Sequence, residues 1–217
     1  LDVATMLHEL SHAWFNGDTL VDRWLIEGFA EEFSRLASDD LDQTPSRRIP
    51  PSNNETRRLN TWDRSARTDE AETWGYQTSG WVMKQLTDEI GADALRDLVV
   101  ALSDRSAVYP NESGNGTTSL DADWRRVFDI LDRRLGSETA DELFRSWVVT
   151  KSQLALLDER AEAVALLDEL AEAGGDWFVP KVIRERAEAW NFASIAPLVE
   201  SATETLALRD ELDERSV

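Results

Sequence analysis

The chain contains only two histidines, and they stand four residues apart at His8 and His12. Apolar residues around them recur at helical spacing, so both imidazoles are expected on one face of a helix, where they can bind one metal ion. Glu9 follows the first histidine, where a carboxylate can reach a metal-coordinated water but not the metal itself. The spacing therefore predicts a metal site with a general base. The alternative is an exposed pair of helical histidines without a ligand.

The ligands of such a site must be His, carboxylate or water, because the chain has no cysteine. A catalytic zinc needs a third protein ligand and an open position for water. The next helical segment offers Glu27, Glu31 and Glu32. Since Glu31 lies one turn after Glu27, these two carboxylates share a helix face, whereas Glu32 points elsewhere and is expected at the surface. The residues alone leave the third ligand open.

The motifs HELSHAWF at 8–15 and WLIEGFA at 24–30 resemble the paired metal helices of gluzincin metallopeptidases, especially the aminopeptidase N-like family. This resemblance implies one Zn²⁺ per chain and makes Glu27 the third ligand, although the usual spacing of the family would point to Glu31. Glu31 is then expected either to hydrogen bond a ligand histidine or to be an ordinary solvated carboxylate. The resemblance also implies a thermolysin-like helical catalytic subdomain.

A third segment, YQTSGWVM at 76–83, resembles more loosely the YxKGxxVL segment of the same family, whose tyrosine hydrogen bonds the tetrahedral intermediate. This copy has one extra residue between Tyr76 and Gly80, and Ser79 stands where the family often has lysine. The resemblance implies a stabilising role for Tyr76 toward the oxyanion. The alternative is a half-buried core aromatic beside Trp74.

Taken together, the resemblance covers roughly residues 3–103 and implies hydrolysis of peptide bonds in a peptide or protein substrate, with Glu9 as general base and Tyr76 as oxyanion donor. Aminopeptidases of this type bind the substrate N-terminus through a segment that precedes the HExxH helix. Whether the chain trims N-termini or cuts internally is therefore left open. Three other interpretations stay open: a catalytically silent relative that binds or senses, an all-α interaction domain with incidental histidines, and a hydrolase of non-peptide substrates.

Helical periodicity runs through almost the whole chain and predicts a mainly α fold, since no alternating segment is long enough for a strand. A zinc metallopeptidase catalytic domain is expected at 1–150 and a helical C-terminal extension at 151–217. Polar loops are predicted at 38–69 and 109–119. The predicted helices lie near 3–15, 24–36, 74–90, 95–102, 124–135, 139–149, 154–173, from Pro180 onward, and 192–212.

The formal net charge of −20 argues against nucleic acid or an anionic membrane surface as the main partner, because both would repel the chain. No apolar run approaches the roughly 18 to 20 residues that span a bilayer, so this segment is expected to contain no membrane span. The start without Met close to the metal motif leads us to expect a longer protein. Extracytoplasmic or membrane-associated placement and the oligomeric state stay open.

Overall fold

The computed structural model describes residues 2–43, 57–63, 68–109 and 116–215. Within these ranges the regular structure is helical apart from one isolated antiparallel bridge between Ser106 and Thr117, so the predicted mainly α fold is confirmed. The likeness to a thermolysin-like subdomain stays a prediction. The predicted loops are described only in part, because 44–56, 64–67 and 110–115 lie outside these ranges.

The α-helices are α1 (Val3–Ser11), α2 (Arg23–Asp40), α3 (Asp69–Ile90), α4 (Ala92–Ser103), α5 (Trp124–Asp129), α6 (Ala140–Leu143), α7 (Lys151–Gly174), α8 (Lys181–Glu188) and α9 (Ile195–Arg215). Helices α5 and α6 each continue into a π-helical turn, at Ile130–Arg134 and Phe144–Val148. Short 3₁₀ turns lie at Leu59–Thr61 and Phe192–Ser194. In the described ranges, no helix has the length and apolar character needed to cross a bilayer.

Two compact units make up the chain. The first comprises Leu1–Arg105 and Asp121–Thr150, and the second comprises Ser106–Leu120 and Lys151–Val217. Residues 106–120, which the sequence analysis placed in the first domain, therefore group with the later helices. The residues predicted to hold a metal all belong to the first unit.

The core of the first unit is built where α2 packs on α3. Gly28 allows this close approach, because a Cβ atom there would lie 2.8 Å from Met83 Cγ and 3.1 Å from the Ser79 carbonyl oxygen. Leu25 and Phe29 on the same helix are fully buried. Gly28, in the WLIEGFA motif, therefore sets how closely α2 approaches α3 next to Glu27.

Helix α1 ends at Ser11, so the prediction of a helix to residue 15 was wrong at this end. The Asn16 side-chain amide donates to the His12 carbonyl at 3.1 Å, and the Thr19 hydroxyl donates to the Trp14 carbonyl at 2.8 Å. These side chains satisfy carbonyls that a continuing helix would use, which favours a turn. Phe15 then points inward and stacks on Phe29 with ring centroids 5.1 Å apart.

The prediction of a surface position for Glu32 was also wrong. Its side chain is fully buried in α2. Arg35, three residues later, donates two hydrogen bonds to it at 2.9 and 2.5 Å. A buried carboxylate is tolerated when a guanidinium pairs with both of its oxygens, and Arg35 supplies that pairing.

The second unit packs α7, α8 and α9 around buried aliphatic side chains such as Leu167, Ile183 and Ile195. The Glu188 carboxylate at the end of α8 accepts hydrogen bonds from the backbone N–H groups of Val108 and Tyr109, at 3.0 and 3.1 Å. This contact explains why the segment around residue 108 groups with the C-terminal helices.

Candidate metal centre

Three ligand atoms of the first unit converge on one point. His8 Nε2 and His12 Nε2 are 3.2 Å apart, and Glu27 Oε2 lies 3.4 Å from the first and 3.5 Å from the second. In a tetrahedral zinc site with bonds of about 2.0 to 2.1 Å, the ligand atoms are about 3.4 Å apart. The triangle therefore has the size that a metal ion with three protein ligands requires. His8, His12 and Glu27 form a group that could hold such an ion.

The protonation pattern of the two histidines favours metal binding. His12 Nδ1 lies 2.9 Å from the Phe15 carbonyl oxygen, and a carbonyl can only accept, so this nitrogen carries the proton. His8 Nδ1 lies 3.1 Å from Glu31 Oε1, which is an ion-pair distance without hydrogen-bond geometry. The unprotonated Nε2 of His12 lies 3.5 Å from the buried Glu27 Oε2, which has no hydrogen-bond partner among the described residues. A cation bound between these atoms would satisfy the unpartnered carboxylate oxygen.

The carboxylates of Glu27 and Glu31 also change the pKa of His8. The Glu27 carboxylate, followed by that of Glu31, raises the pKa of His8 to about 9, and partial burial opposes the shift. The two carboxylates thus favour a positive charge at this point, which a proton on His8 or a bound cation can supply. A divalent cation would replace that proton when it binds.

The Glu31 carboxylate lies beside His8, and its side chain is one-fifth exposed. Because His8 Nδ1 makes no hydrogen bond with it, the role of Glu31 in orienting His8 stays a prediction, as does its alternative of an ordinary solvated carboxylate. A carboxylate that accepted a hydrogen bond from Nδ1 would fix the tautomer and the orientation of the ring. The matching contact at His12 uses the Phe15 carbonyl, which sequence reasoning missed because residue 15 was expected to be helical.

Glu9 and Tyr76, the predicted general base and oxyanion donor, lie on different helices. Glu9 directly follows His8 on α1, and its side chain is exposed. Tyr76 is half-buried on α3, with its ring centroid 6.3 Å from that of His8. Burial raises the pKa of Tyr76, the Glu27 carboxylate raises it further, and the Arg23 guanidinium opposes both. The Tyr76 hydroxyl therefore stays protonated at neutral pH and can donate a hydrogen bond.

Arg23 and Trp62 also lie next to Tyr76, and sequence reasoning missed both. Trp62 and Tyr76 meet edge to face with ring centroids 5.2 Å apart. The only local signal was the position of Arg23 immediately before the WLIEGFA motif. No spacing rule connects residues 23, 62 and 76, because they meet only through the packing of α2, α3 and the segment between them.

Comparisons of the chain with models of protein families, with curated proteins and with solved structures find no match.

Proposed function

We propose that this chain is a zinc-dependent peptidase that hydrolyses peptide bonds with water. The observation that carries the proposal is the convergence of His8 Nε2, His12 Nε2 and Glu27 Oε2 at 3.2 to 3.5 Å, with His12 Nδ1 held by the Phe15 carbonyl oxygen. Two imidazoles and one carboxylate form a ligand set typical of catalytic zinc, which leaves one position open.

A zinc ion bound there would lower the pKa of a coordinated water toward about 7 and polarise the substrate carbonyl. Glu9 takes a proton from the attacking water while the water oxygen adds to the carbonyl carbon. Glu9 then delivers that proton to the amide nitrogen as the C–N bond breaks. Tyr76 donates its O–H to the oxyanion that develops at the carbonyl. The reaction consumes one water and gives a carboxylic acid and an amine.

The proposal is tested by elemental analysis of the purified chain together with cleavage of quenched peptides. We expect about one zinc per chain and measurable cleavage. Glu9→Gln should retain the zinc and lower kcat by about 10²- to 10⁴-fold, because the general base is lost while the ligands remain. Glu142→Gln, which removes an exposed helical carboxylate of the same unit, is the matched control and should change neither quantity.

Two outcomes would count against the proposal in different ways. A protein that binds no zinc even after metal supplementation contradicts the metal site. A protein that binds zinc through Glu27 but cleaves no peptide is a metal-binding module without turnover, which is the alternative that the sequence left open. Peptides with free and with acetylated N-termini, assayed in parallel, distinguish trimming of N-termini from internal cleavage.

A further inference from the structure

The side chain of Arg23, at the start of α2, joins three parts of the first unit beside the metal-ligand group. Its two terminal nitrogens donate to the Glu72 carboxylate on α3 at 2.8 and 2.6 Å. One of them also donates to the Asp63 carbonyl at 3.4 Å. The guanidinium is largely buried, with 11% of the side chain exposed. Arg23 therefore connects α2 to α3 and to the segment 57–63.

The same guanidinium lies close to two aromatic rings. Its central carbon lies 4.1 Å from the Trp62 ring centroid and 5.7 Å from that of Tyr76. Trp62 in turn lies directly on Gly75, where a Cβ atom would be 2.0 Å from Trp62 Cε2. Gly75 thus leaves the space that Trp62 needs to reach the edge of the Tyr76 ring. The ring of Tyr76 is therefore surrounded by three side chains, those of Trp62, Arg23 and His8.

Glu72 and Tyr76 are four residues apart on α3 and therefore lie on one helix face. Arg23 donates two hydrogen bonds to the Glu72 carboxylate. These bonds fix both the position and the orientation of the Arg23 guanidinium relative to Tyr76. A guanidinium held in this way keeps a fixed positive charge beside the phenol. The arrangement restricts the orientation of the Tyr76 ring without using any metal ligand.

We propose that Arg23 is a positioning residue, which together with Trp62 holds the Tyr76 hydroxyl where it donates to the reacting carbonyl oxygen. This inference rests on the proposed peptidase function for its catalytic consequence. Its structural part, the ordering of Tyr76 by Arg23, does not need turnover. The two parts are therefore tested separately.

The structural part is tested by NMR of protein labelled with ¹³C in the tyrosine rings. The chain has two tyrosines, so a Tyr109→Phe variant assigns the signal of Tyr76. In Arg23→Ala we expect the Tyr76 signal to shift and to broaden or split, because the ring loses one of the three side chains that surround it. Lys84→Ala is the control, since Lys84 also lies on α3, two turns from Tyr76, and pairs only with the exposed carboxylate of Asp88. An unchanged Tyr76 signal in folded Arg23→Ala would overturn the inference, whether or not the protein is a peptidase.

The catalytic part is tested by a double-mutant cycle on peptide cleavage. Arg23→Ala should lower kcat by about 10- to 100-fold with little change in KM or zinc content, because a small misplacement of a catalytic group is costly. In a Tyr76→Phe background the same change should cost less than about 2-fold, since Arg23 acts through the missing hydroxyl. Arg23→Lys, which keeps the charge but not the planar grip, should fall between and covers poor folding of the alanine variant. Equal losses of kcat in both backgrounds would show that Arg23 does not act through Tyr76.

Discussion

The two helices that supply the metal ligands differ sharply in how they are supported. In α2, ten of the residues are buried, and Glu27 lies among them. In α1 only Ser11 is buried, and three apolar side chains face solvent: Val3, Met6 and Leu10. Many buried side chains therefore surround Glu27 in α2, whereas α1, which carries His8 and Glu9 and ends just before His12, buries a single residue.

Helix α1 packs against α2, and some of its side-chain contacts lie at the ligand group. The Ser34 hydroxyl of α2 donates to the Ala4 carbonyl at 2.8 Å, and His8 pairs with Glu31. Phe15, just after α1, anchors the following turn by stacking on Phe29. Since one of these contacts involves His8 itself, a bound metal would add a further connection between α1, which has one buried residue, and α2, which has ten. Three changes test or sharpen this difference between α1 and α2.

The largest expected effect is on the well-supported helix. Phe29→Ala removes a fully buried ring from α2 and should lower the free energy of unfolding by about 3 to 5 kcal/mol, because it leaves a cavity in the core. Leu10→Ala on α1, where the side chain is 62% exposed, should change it by no more than about 0.5 kcal/mol. Denaturant titrations of the two variants provide the measurement. Similar losses of unfolding free energy in the two variants would mean that the Leu10 side chain is buried in solution and would contradict the difference between α1 and α2.

The next effect concerns metal removal. With free zinc at about 100 times its Kd, local opening that releases the metal becomes about 100-fold rarer, or about 2.7 kcal/mol less favourable. We expect chelation to accelerate amide hydrogen exchange by that factor in α1, while the amides in the middle of α2 change much less. Exchange monitored by NMR or mass spectrometry with and without chelator measures this. Equal acceleration in both helices would contradict the difference in support.

The smallest of the three effects concerns the contact between the helices at His8. Glu31→Gln keeps the size of the side chain but removes the charge that orients the imidazole, so zinc affinity should fall by about 10- to 100-fold. Competition titrations with a zinc-binding dye measure the change, with Glu142→Gln as the control. If Glu31→Gln binds zinc as tightly as the parent chain, the orientation of His8 is set by α1 alone.

The sequence by itself determined the features that depend on local periodicity. Helical spacing predicted the mainly α fold and most of the helices, because amphipathic patterns are written in neighbouring residues. The four-residue spacing predicted His8 and His12 on one face, and the family resemblance of the motif around Glu27 implied the carboxylate that the structure brings within 3.5 Å of both. These outcomes follow from chain geometry within one or two turns and from the residues that flank a motif.

Only the tertiary structure decided the features that depend on contacts between distant residues. The end of α1 at Ser11 follows from side-chain caps that compete with the helix, and the burial of Glu32 follows from its pairing with Arg35 in a packed interface. The side chains that surround Tyr76 come from α2 and from the segment 57–63, whereas Tyr76 itself lies on α3. Such contacts have no period in the sequence, because they depend on which helix faces meet, and that is set by the packing of the whole unit.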